Sequence, residues 1–544
     1  MLKKITYTFI LSFLTLNSFA QNNGGEIHGD FDLNMQSYQE DEIIGAKAAD
    51  EIILNNAYLN INYTKGDFTA GLRYESYLNA LMDFDDSYKG NGIPFRYASY
   101  TIDGLEVTVG NYYEQVGSGL IFRSYENKGL GADNAMDGIR LKYSPLKGIY
   151  LKTFIGKSRT YFTYAEGIIR GADAEVNLNE ALNLESKTKI IIGQGLVSRF
   201  QADINPKFKL PQNVAAYSTR LNIINGGWNY SGEYAVKLND PVGSLTSEGN
   251  NYSKGNALMS SLTYSKRGFG IVAEMHRVDH MEFRSERAQE KQYIINYIPT
   301  LTKQHTYTLL ALYPSATQTE GEFGTQIDVF YKIKKGSLLG GKYGTKLIFN
   351  FSRINALNVG SSFLNDNRKH TPMFISIKGE ELYYKDINLE VYKKINKKIR
   401  ATGVIAKQSY NKDVLEGKTP GTYGIVESTI AIADISYKIK KGYTVRIELQ
   451  ELLADGGEGS WSMGLAEYTI SPHWFFAVQD MYNWGNHEIS KQLHYVNINF
   501  GYLKGANRIE IGYGKKRAGI FCVGGVCKEV PSSNGFSLAI SSSF

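Results

Sequence analysis

The sequence predicts an all-β fold, a closed antiparallel transmembrane β-barrel. Three observations lead to this prediction: an export signal at the amino terminus, alternation of polar and apolar residues along the whole length, and a final strand that ends on an aromatic residue. After the export signal, no run reaches the roughly 18 apolar residues that a membrane helix needs. An exported chain of this kind fits the proteins that cross a membrane with strands.

The amino terminus has the parts of a secretory signal peptide. Lys3 and Lys4 precede a short apolar run, and Ser18-Phe19-Ala20 supplies a small-residue cleavage site. We therefore divide the chain into a signal peptide, residues 1–20, and a barrel, residues 21–544. Because the alternating pattern starts almost directly after the cleavage site, we expect no amino-terminal plug domain.

Period-2 alternation identifies the individual strands, because successive side chains of a strand point to opposite faces. The clearest alternating segments are residues 27–35, 58–63, 68–75, 322–332, 443–450 and 508–513. One face of each is apolar and the other is polar. In a soluble sandwich the apolar face would form a core, but the even spread over the chain and the export signal favour an apolar face in contact with lipid.

Short turns alternate with long polar loops along the chain. The predicted short turns include Lys65-Gly66, Asp103-Gly104, Pro299–Lys303, Lys334–Gly336 and Lys394–Lys398. The predicted long loops are residues 37–53, 78–95, 113–137, 239–255, 279–290, 353–371, 410–426 and 516–535. This order predicts about 26 strands, an even number, with the turns and both termini facing the periplasm and the loops facing outward.

The charge balance argues against a polyanion such as nucleic acid as a partner. The chain has 60 Lys and Arg against 54 Asp and Glu, a net charge of +6 that falls to +4 when Lys3 and Lys4 are removed with the signal peptide. Many short turns carry lysine and the long loops carry acids, which solvated connections explain. The expected partners are outer-membrane lipid, the barrel-assembly machinery during insertion, and a surface or periplasmic protein.

Charged residues of both signs are predicted to face the lumen. The predicted lumen-facing set is Arg73, Glu75, Arg140, Asp328, Arg446, Glu448, Arg508 and Glu510. Their signs are nearly balanced, so no strong ion selectivity is expected. So many strands enclose a space that admits water unless something fills it, and the long, glycine-broken segment 113–137 is the best candidate to fold inward as a constriction.

The last strand carries a predicted insertion signal. Phe536, Leu538, Ile540 and Phe544 lie on one face of it, the pattern of the final strand of outer-membrane barrels. The pattern departs at Ser542, where an aromatic or apolar residue is usual. We expect the assembly machinery to recognise this face.

Cys522 and Cys527 are predicted to form a disulfide. If Gly524-Gly525 is a two-residue hairpin turn, the cysteines face each other as a non-hydrogen-bonded pair, at a distance that suits the bond. An oxidising compartment permits it. Two free thiols are the alternative, and a zinc site is disfavoured because no His or second Cys pair lies nearby.

No catalytic constellation is visible in the sequence. The eight histidines are spread over different strands or loops, and none has a motif spacing to Ser or Asp. We therefore predict no enzyme, no cofactor and no metal. The alternatives are a barrel hydrolase, whose catalytic residues would meet only in space, and a calcium loop at Asp83–Gly92, which reads more simply as an acidic surface loop.

Six segments of the chain have a familiar sequence: Asn111–Arg123, Leu130–Gly138, His305–Tyr307, Ala311–Pro314, Gly340–Gly344 and Arg517–Pro531. They resemble segments of an uncharacterised domain-of-unknown-function family of large outer-membrane barrels from Bacteroidota-type bacteria. The resemblance spans nearly all of the mature chain. Because the family has no established activity, the resemblance implies fold and location in the bacterial outer membrane, and it transfers no catalytic residue.

The sequence therefore predicts an integral outer-membrane barrel that serves as a channel or transport conduit. The alternative is a barrel sealed by loops and salt bridges, which acts as a membrane platform in a secretion or assembly complex.

Overall fold

A computed structural model of the chain describes residues 24–203, 209–242, 251–287, 293–357, 379–523 and 526–544, with the side chains of 241–253 and 521–528 also left out of the description. The predicted signal peptide lies outside the described residues. Across the described residues the chain forms one closed antiparallel barrel of 24 strands.

The barrel strands are numbered in chain order. They are β1 (Glu26–Gln36), β2 (Leu54–Lys65), β3 (Phe68–Tyr77), β4 (Gly90–Ile102), β5 (Leu105–Tyr112), β6 (Met136–Leu146), β7 (Ile149–Thr160), β8 (Thr163–Asn177), β9 (Thr188–Phe200), β10 (Asn213–Asn225), β11 (Trp228–Val242), β12 (Asn251–Lys266), β13 (Phe269–Asp279), β14 (Gly321–Ile333), β15 (Thr345–Asn355), β16 (Leu382–Lys394), β17 (Ile399–Asn411), β18 (Ile425–Lys440), β19 (Tyr443–Asp455), β20 (Trp461–Ile470), β21 (Trp474–Tyr482), β22 (His494–Lys504), β23 (Asn507–Lys516) and β24 (Ser533–Ser543).

Each strand pairs with its neighbours in the chain, and the last strand closes the barrel on the first. In this closing pair Leu33 of β1 lies opposite Ile540 of β24. Closure leaves no strand edge unpaired, which is what a sheet in lipid requires.

The two faces of the wall differ as the alternation predicts. Ile435 and Ile447 lie opposite each other on β18 and β19, and they are 47% and 48% exposed, whereas the adjacent Glu448 is 4% exposed. Apolar residues thus cover the outside and polar residues are enclosed, the reverse of a water-soluble core. This arrangement suits an outer face in hydrocarbon.

Short and long connections separate to the two ends of the barrel. The connections after even-numbered strands are mostly tight, as at 66–67 and 103–104, and this end is called the turn end. The connections after odd-numbered strands are mostly longer, as at 37–53, and form the loop end; the two-residue turn 161–162 between β7 and β8 is an exception. The turn end also holds a longer connection, 178–187, that the sequence patterns did not reveal.

Helices are few and short among the described residues. They comprise α1 (Leu178–Ala181) and α2 (Lys412–Leu415), with short 3-10 turns elsewhere. None of the helices described has the length and apolar character to cross a membrane. The Asp85 carboxylate, considered above as a calcium ligand, accepts a hydrogen bond from the Ser87 amide at 2.8 Å and caps a 3-10 turn.

The predicted number of about 26 strands is too high, since the described residues form 24 barrel strands. One of the predicted turns does not lie in the wall. Pro299–Lys303 belongs to the connection 280–320 between β13 and β14, which contributes no barrel strand in its described part. Leu309 and Leu310 of this connection are 0% and 2% exposed. Adjacent residues of a barrel strand point to opposite faces, so two buried neighbours indicate a segment enclosed on all sides.

Candidate functional site

Two connections of the loop end fold back into the barrel and occupy its lumen. The first lumen segment, residues 113–135, joins β5 to β6. The second lumen segment, residues 280–320, joins β13 to β14 and is described at 280–287 and 293–320. Val116 of the first segment is fully buried. The prediction that 113–137 folds inward agrees with this arrangement, whereas the sequence did not indicate that a second segment accompanies it.

The first lumen segment reaches wall strands distant from its own. The Ser118 amide donates a hydrogen bond to the Glu233 carboxylate of β11 at 2.7 Å. The Phe122 ring packs on Phe154 of β7 with ring centroids 4.7 Å apart. Gly171 permits this contact, because a Cβ at that position would lie 2.1 Å from the Phe154 ring.

The two lumen segments are also bound to each other. The Arg123 amide donates to the Ile295 carbonyl at 2.6 Å, and the Tyr297 amide donates to the Gly119 carbonyl at 2.9 Å. The Arg123 guanidinium lies 4.1 Å from the Tyr297 ring centroid, a cation–π contact. Together the segments form one internal body, here called the plug.

Two apolar clusters attach the plug to different sectors of the wall. In the first cluster, plug and wall residues mix: Val116, Leu120, Ile121, Phe122, Met281, Phe283, Ile295 and Ile298 pack with Phe154, Ile169, Val197, Val214, Ala216, Ala235, Ala257 and Val278. In the second cluster, the plug residues Leu309, Leu310, Leu312 and Tyr313 pack with Ile354, Tyr384, Val404, Ile430, Leu452, Trp461 and Met481. The second lumen segment takes part in both, so it connects the two sectors.

The plug fills the half of the lumen nearest the loop end. On the inner face of β18, Ile430 is 0% and Ile432 is 5% exposed, whereas Lys438, further along the same face toward the turn end, is exposed. The turn-end half of the lumen is therefore open to solvent. We call this half the vestibule.

A buried network of charges fixes the first lumen segment to β3 and β7. The Asp133 carboxylate is paired with both Arg73 and Arg159. The wall arginines also pair with Glu75, at 2.7 Å from Arg73 Nε and 2.6 Å from Arg159 Nη2. Glu126 of the segment lies 3.0 Å from Arg73 Nη1. Burial raises the pKa of Glu126, and the positive charge of Arg73 opposes that rise.

A second network holds the start of the same segment. The Glu114 carboxylate lies 3.0 Å from Lys152 Nζ, 3.6 Å from Arg140 Nη1 and 3.6 Å from Lys142 Nζ. Arg140 is also 2.5 Å from Glu106. Both lumen networks join acids of the plug to bases of the wall, so charge complementarity orients the segment.

The second lumen segment makes polar contacts with the opposite sector. His305 Nε2 lies 2.5 Å from the Asp386 carboxylate of β16, and the Leu309 amide donates to Gln450 Oε1 of β19 at 2.8 Å. His305 was one of the histidines considered for catalysis. In the structure it connects the plug to the wall.

Lys237 of β11 is a buried cation without a counter-ion of its own. Its side chain is 0% exposed, and within the described part of the chain its Nζ has no hydrogen-bond partner. The nearby Asp240 is already shared by Arg199 at 2.8 Å and Arg287 at 3.2 Å. Burying an uncompensated charge is costly, so the plug closes over Lys237 against an opposing free energy.

The predicted lumen-facing residues fall into two groups. Arg73 and Arg140 contact the first lumen segment directly, and Glu75 contacts the two arginines that hold Asp133. The remaining predicted residues contact other residues of the wall: Asp328 with Asn350 at 2.8 Å, Arg446 with Asp434 at 3.0 Å, Glu448 with Gln450 at 2.5 Å, and Arg508 with Glu510 at 2.5 Å.

Sequence reasoning missed Arg159, and a bulge explains why. The register between β7 and β8 shifts between Lys157 and Arg159. Uninterrupted alternation would place both residues on the outer face with Ile155, but the shift turns Arg159 into the lumen. Asp133 was also missed. Its position inside a segment expected to fold inward was the available signal.

The terminal strand is fully integrated into the barrel. Phe544 exchanges two backbone hydrogen bonds with Gly29, of 2.9 and 3.0 Å, and its side chain is 43% exposed. Phe536, which is 57% exposed, packs on the Tyr513 ring with centroids 4.6 Å apart. Leu538 lies on the same face, half-buried like Ile540. The insertion role of this face stays a prediction.

The backbone places Cys522 directly opposite Cys527 in a two-stranded hairpin at the loop end. Their side chains, and residues 524–525 of the predicted turn, lie outside the described part of the structure. The disulfide therefore stays a prediction.

The fold and the filled lumen define a class, the large closed antiparallel β-barrels with an apolar outer face and an internal plug built from their own loops. The chain belongs to a family of unknown function, DUF6029, whose sequence profile matches residues 1–544. No curated protein matches it.

Solved barrels are similar in fold. The translocation pore of the P pilus usher PapC has a TM-score of 0.47 at 10% identity, over 95% of this chain and 99% of that one. The siderophore receptor PirA from Pseudomonas aeruginosa has a TM-score of 0.41 at 7% identity, over 96% and 81%. The copper transporter OprC has 0.40 at 9%, over 96% and 80%.

Proposed function

We propose that this protein is a gated conduit in the outer membrane of a Bacteroidota-type bacterium. The observation that supports it best is the distribution of material in the lumen: a plug at the loop end and an open vestibule at the turn end. In this proposal residues 1–20 are a signal peptide, residues 21–544 form the barrel, no amino-terminal plug domain precedes it, and the chain is not an enzyme.

Outside its apolar stretch, residues 116–122, the first lumen segment has the properties of a movable gate. Its attachment at Asp133, Glu126 and Glu114 is ionic, with bases supplied by the wall. When such a pair separates, both partners regain their hydration, so the net free energy of a buried salt bridge is small. An attachment of this kind specifies the closed position without making it irreversible.

Conductance in planar bilayers tests the proposal. We compare the full chain with a variant in which residues 117–132 are replaced by a short Gly-Ser linker. We expect the variant to show a larger unit conductance or a higher open probability, because the linker cannot occupy the lumen. A matched control removes residues 487–491, which are exposed at the loop end.

The control should conduct as the parent does. Equal conductance of all three proteins, each with the heat-modifiable electrophoretic mobility of a folded barrel, would contradict the proposal.

The second candidate function is a sealed membrane platform for a secretion or assembly complex. The apolar contacts of Leu309 and Leu312 with the wall favour it, because separating these side chains from the wall would expose hydrocarbon to water. Absence of current from both the parent and the linker variant, together with a periplasmic or surface protein that co-purifies with both, would support this candidate over the conduit.

A further inference from the structure

In three neighbouring connections of the turn end, all charged residues are basic. Residues 332–346, 393–400 and 438–443 contain five, five and three Lys or Arg, and no Asp or Glu. They join β14 to β15, β16 to β17 and β18 to β19, which are consecutive around the wall. The whole chain is nearly balanced in charge, so this set, here called the basic rim, is a local segregation.

Part of the basic rim faces the mouth of the vestibule. Lys332 lies opposite Lys346 in the β14–β15 ladder. Lys332 is on the same strand face as Asp328, whose carboxylate accepts a hydrogen bond from Asn350 on the inner wall at 2.8 Å. The register therefore places these two lysines on the lumen side, while turn residues such as Lys335 are exposed beyond the wall.

The acids above the rim do not neutralise it. Glu390, on the inner face of β16, already lies 3.3 Å from Lys303 of the plug. Asp434, on the inner face of β18, lies 3.0 Å from Arg446. A concave mouth lined by one sign of charge concentrates counter-charged solutes.

The rim also carries apolar side chains that the rest of the chain does not cover. Leu338 is 98% and Leu339 is 67% exposed. Their turn is ordered by hydrogen bonds, from the Gly341 amide to the Ser337 carbonyl at 2.8 Å and from Thr345 Oγ1 to the Leu339 carbonyl at 2.7 Å. Aliphatic side chains displayed on an ordered turn, beside unneutralised lysines, are typical of a surface that binds a partner.

We propose that the basic rim docks an acidic polypeptide segment that carries aliphatic side chains, at the turn-end mouth of the vestibule. This inference rests on the proposed conduit and names the chemistry of what approaches it. The carboxylates of an acidic segment pair with the lysines on the lumen side and in the turn, and its aliphatic side chains cover Leu338 and Leu339. Anionic lipid headgroups fit less well, because Lys332 and Lys346 face away from the bilayer.

Fluorescence anisotropy with the full chain in detergent tests the docking surface. The probe is a labelled peptide of Glu and Leu, and a Gln and Leu peptide is its uncharged counterpart. We expect binding that weakens with salt. The triple variant Lys334→Gln, Lys335→Gln, Lys342→Gln should weaken it by about tenfold, the sum expected of three exposed charges.

A matched triple variant changes turn-end lysines outside the rim: Lys65→Gln, Lys147→Gln, Lys187→Gln. It should bind within about twofold of the parent, because its charges are distant from the rim. Leu338→Ser with Leu339→Ser should weaken binding without changing its salt dependence. All six lysines are exposed, five in connections and Lys65 at the end of β2, so folding is not expected to change.

Equal losses in the two lysine variants, equal binding of the uncharged peptide, or displacement of the peptide by phosphatidylglycerol micelles at lower concentration than by unlabelled peptide would each overturn the proposal. The assay needs no current. A protein that binds the peptide but never conducts refutes only the conduit, and one that conducts but does not bind refutes only the docking surface.

Discussion

Replacing Asp133 by Asn should open the conduit, because Asp133 is the acid that joins the first lumen segment to two wall arginines. Arg73 and Arg159 are 3% and 1% exposed, and both pair with this carboxylate. Tyr113 Oη also donates to it at 3.1 Å. Asn keeps nearly the same volume and removes the charge, so the change tests the ionic attachment and leaves the packing in place.

The burial of Arg73 and Arg159 determines how much free energy the Asp133→Asn change should cost the docked state. Removing one partner of a buried salt bridge costs about 3–5 kcal/mol, since a buried charge is left uncompensated. Here Glu75 and Glu126 still face the arginines, which favours the lower end, about 3 kcal/mol. That free energy corresponds to a shift of roughly 150-fold in the ratio of docked to released segment.

A second ion pair of the same segment supplies the control. Lys128 of the segment pairs with Asp32 of β1, but their side chains are 32% and 30% exposed. Asp32→Asn removes an equivalent charge in a solvated setting, where a pair contributes at most about 1 kcal/mol, or roughly fivefold. The two variants therefore differ mainly in the burial of the pair that they break.

Single-channel recording measures the open probability of both variants at one voltage and salt concentration. We expect a large increase for Asp133→Asn and a small one for Asp32→Asn. Equal effects would show that burial does not determine the attachment. An unchanged open probability for Asp133→Asn, in protein whose heat-modifiable mobility shows a folded barrel, would refute the reasoning.

Four further outcomes are expected. Lys237→Met should raise the free energy of unfolding by about 1–3 kcal/mol in thermal melts, because it removes a buried unpaired cation, and a loss would contradict this. Lys515 of β23 donates a hydrogen bond to the Asp41 carboxylate, 2.6 Å away, and holds the pKa of Asp41 below the usual 3.8. The pair stabilises the fold by at most about 1 kcal/mol at a pH above the unfolded pKa of Asp41, and this stabilisation is lost as the pH falls through the folded pKa. Acid melts should therefore show the loss in the parent and not in Asp41→Asn. Deleting Phe544 should reduce the heat-modifiable folded form in the outer membrane, and unchanged yield would argue against an insertion role. Non-reduced peptide mass spectrometry should show Cys522 linked to Cys527, whereas alkylatable thiols at both positions would refute the disulfide.

The alternation of polar and apolar residues predicted which face of each wall strand is apolar, because successive side chains of a strand point to opposite faces. The alternation around Ile447 and Glu448 places the first outside and the second inside, as observed. The bulge before Arg159 breaks that rule by a single residue, and a bulge has no composition signal strong enough to be recognised without the paired strand.

The plug was harder to predict, because its contacts are not local. The segment 113–135 was identified by its length and glycines, but its partner 280–320 contains apolar runs that imitate strands. Leu309-Leu310 fits a buried strand equally well until the opposite sector of the wall is known. The plug residues pack on the inner surface of the wall, and this surface exists only once the barrel has closed.

The second lumen segment and residues 116–122 of the first pack on the wall with apolar side chains, whereas residues 124–135 are attached at Glu126 and Asp133 by charges. This difference determines which part of the plug can leave. The side chains of Leu309 and Leu310 make apolar contacts, and their separation from the wall would expose hydrocarbon to water at about 25 cal/mol per Å² without compensation. Around Asp133 separation restores the hydration of every charge. We therefore expect residues 124–135 to move while the second lumen segment and Arg123, which is bound to it, stay in place, so that the passage opens beside β3 and β7. In the Asp133→Asn variant, Arg73 and Arg159 lose the carboxylate that both pair with. Their charges are hydrated only when the segment leaves and water enters, so Asp133→Asn should favour the open state.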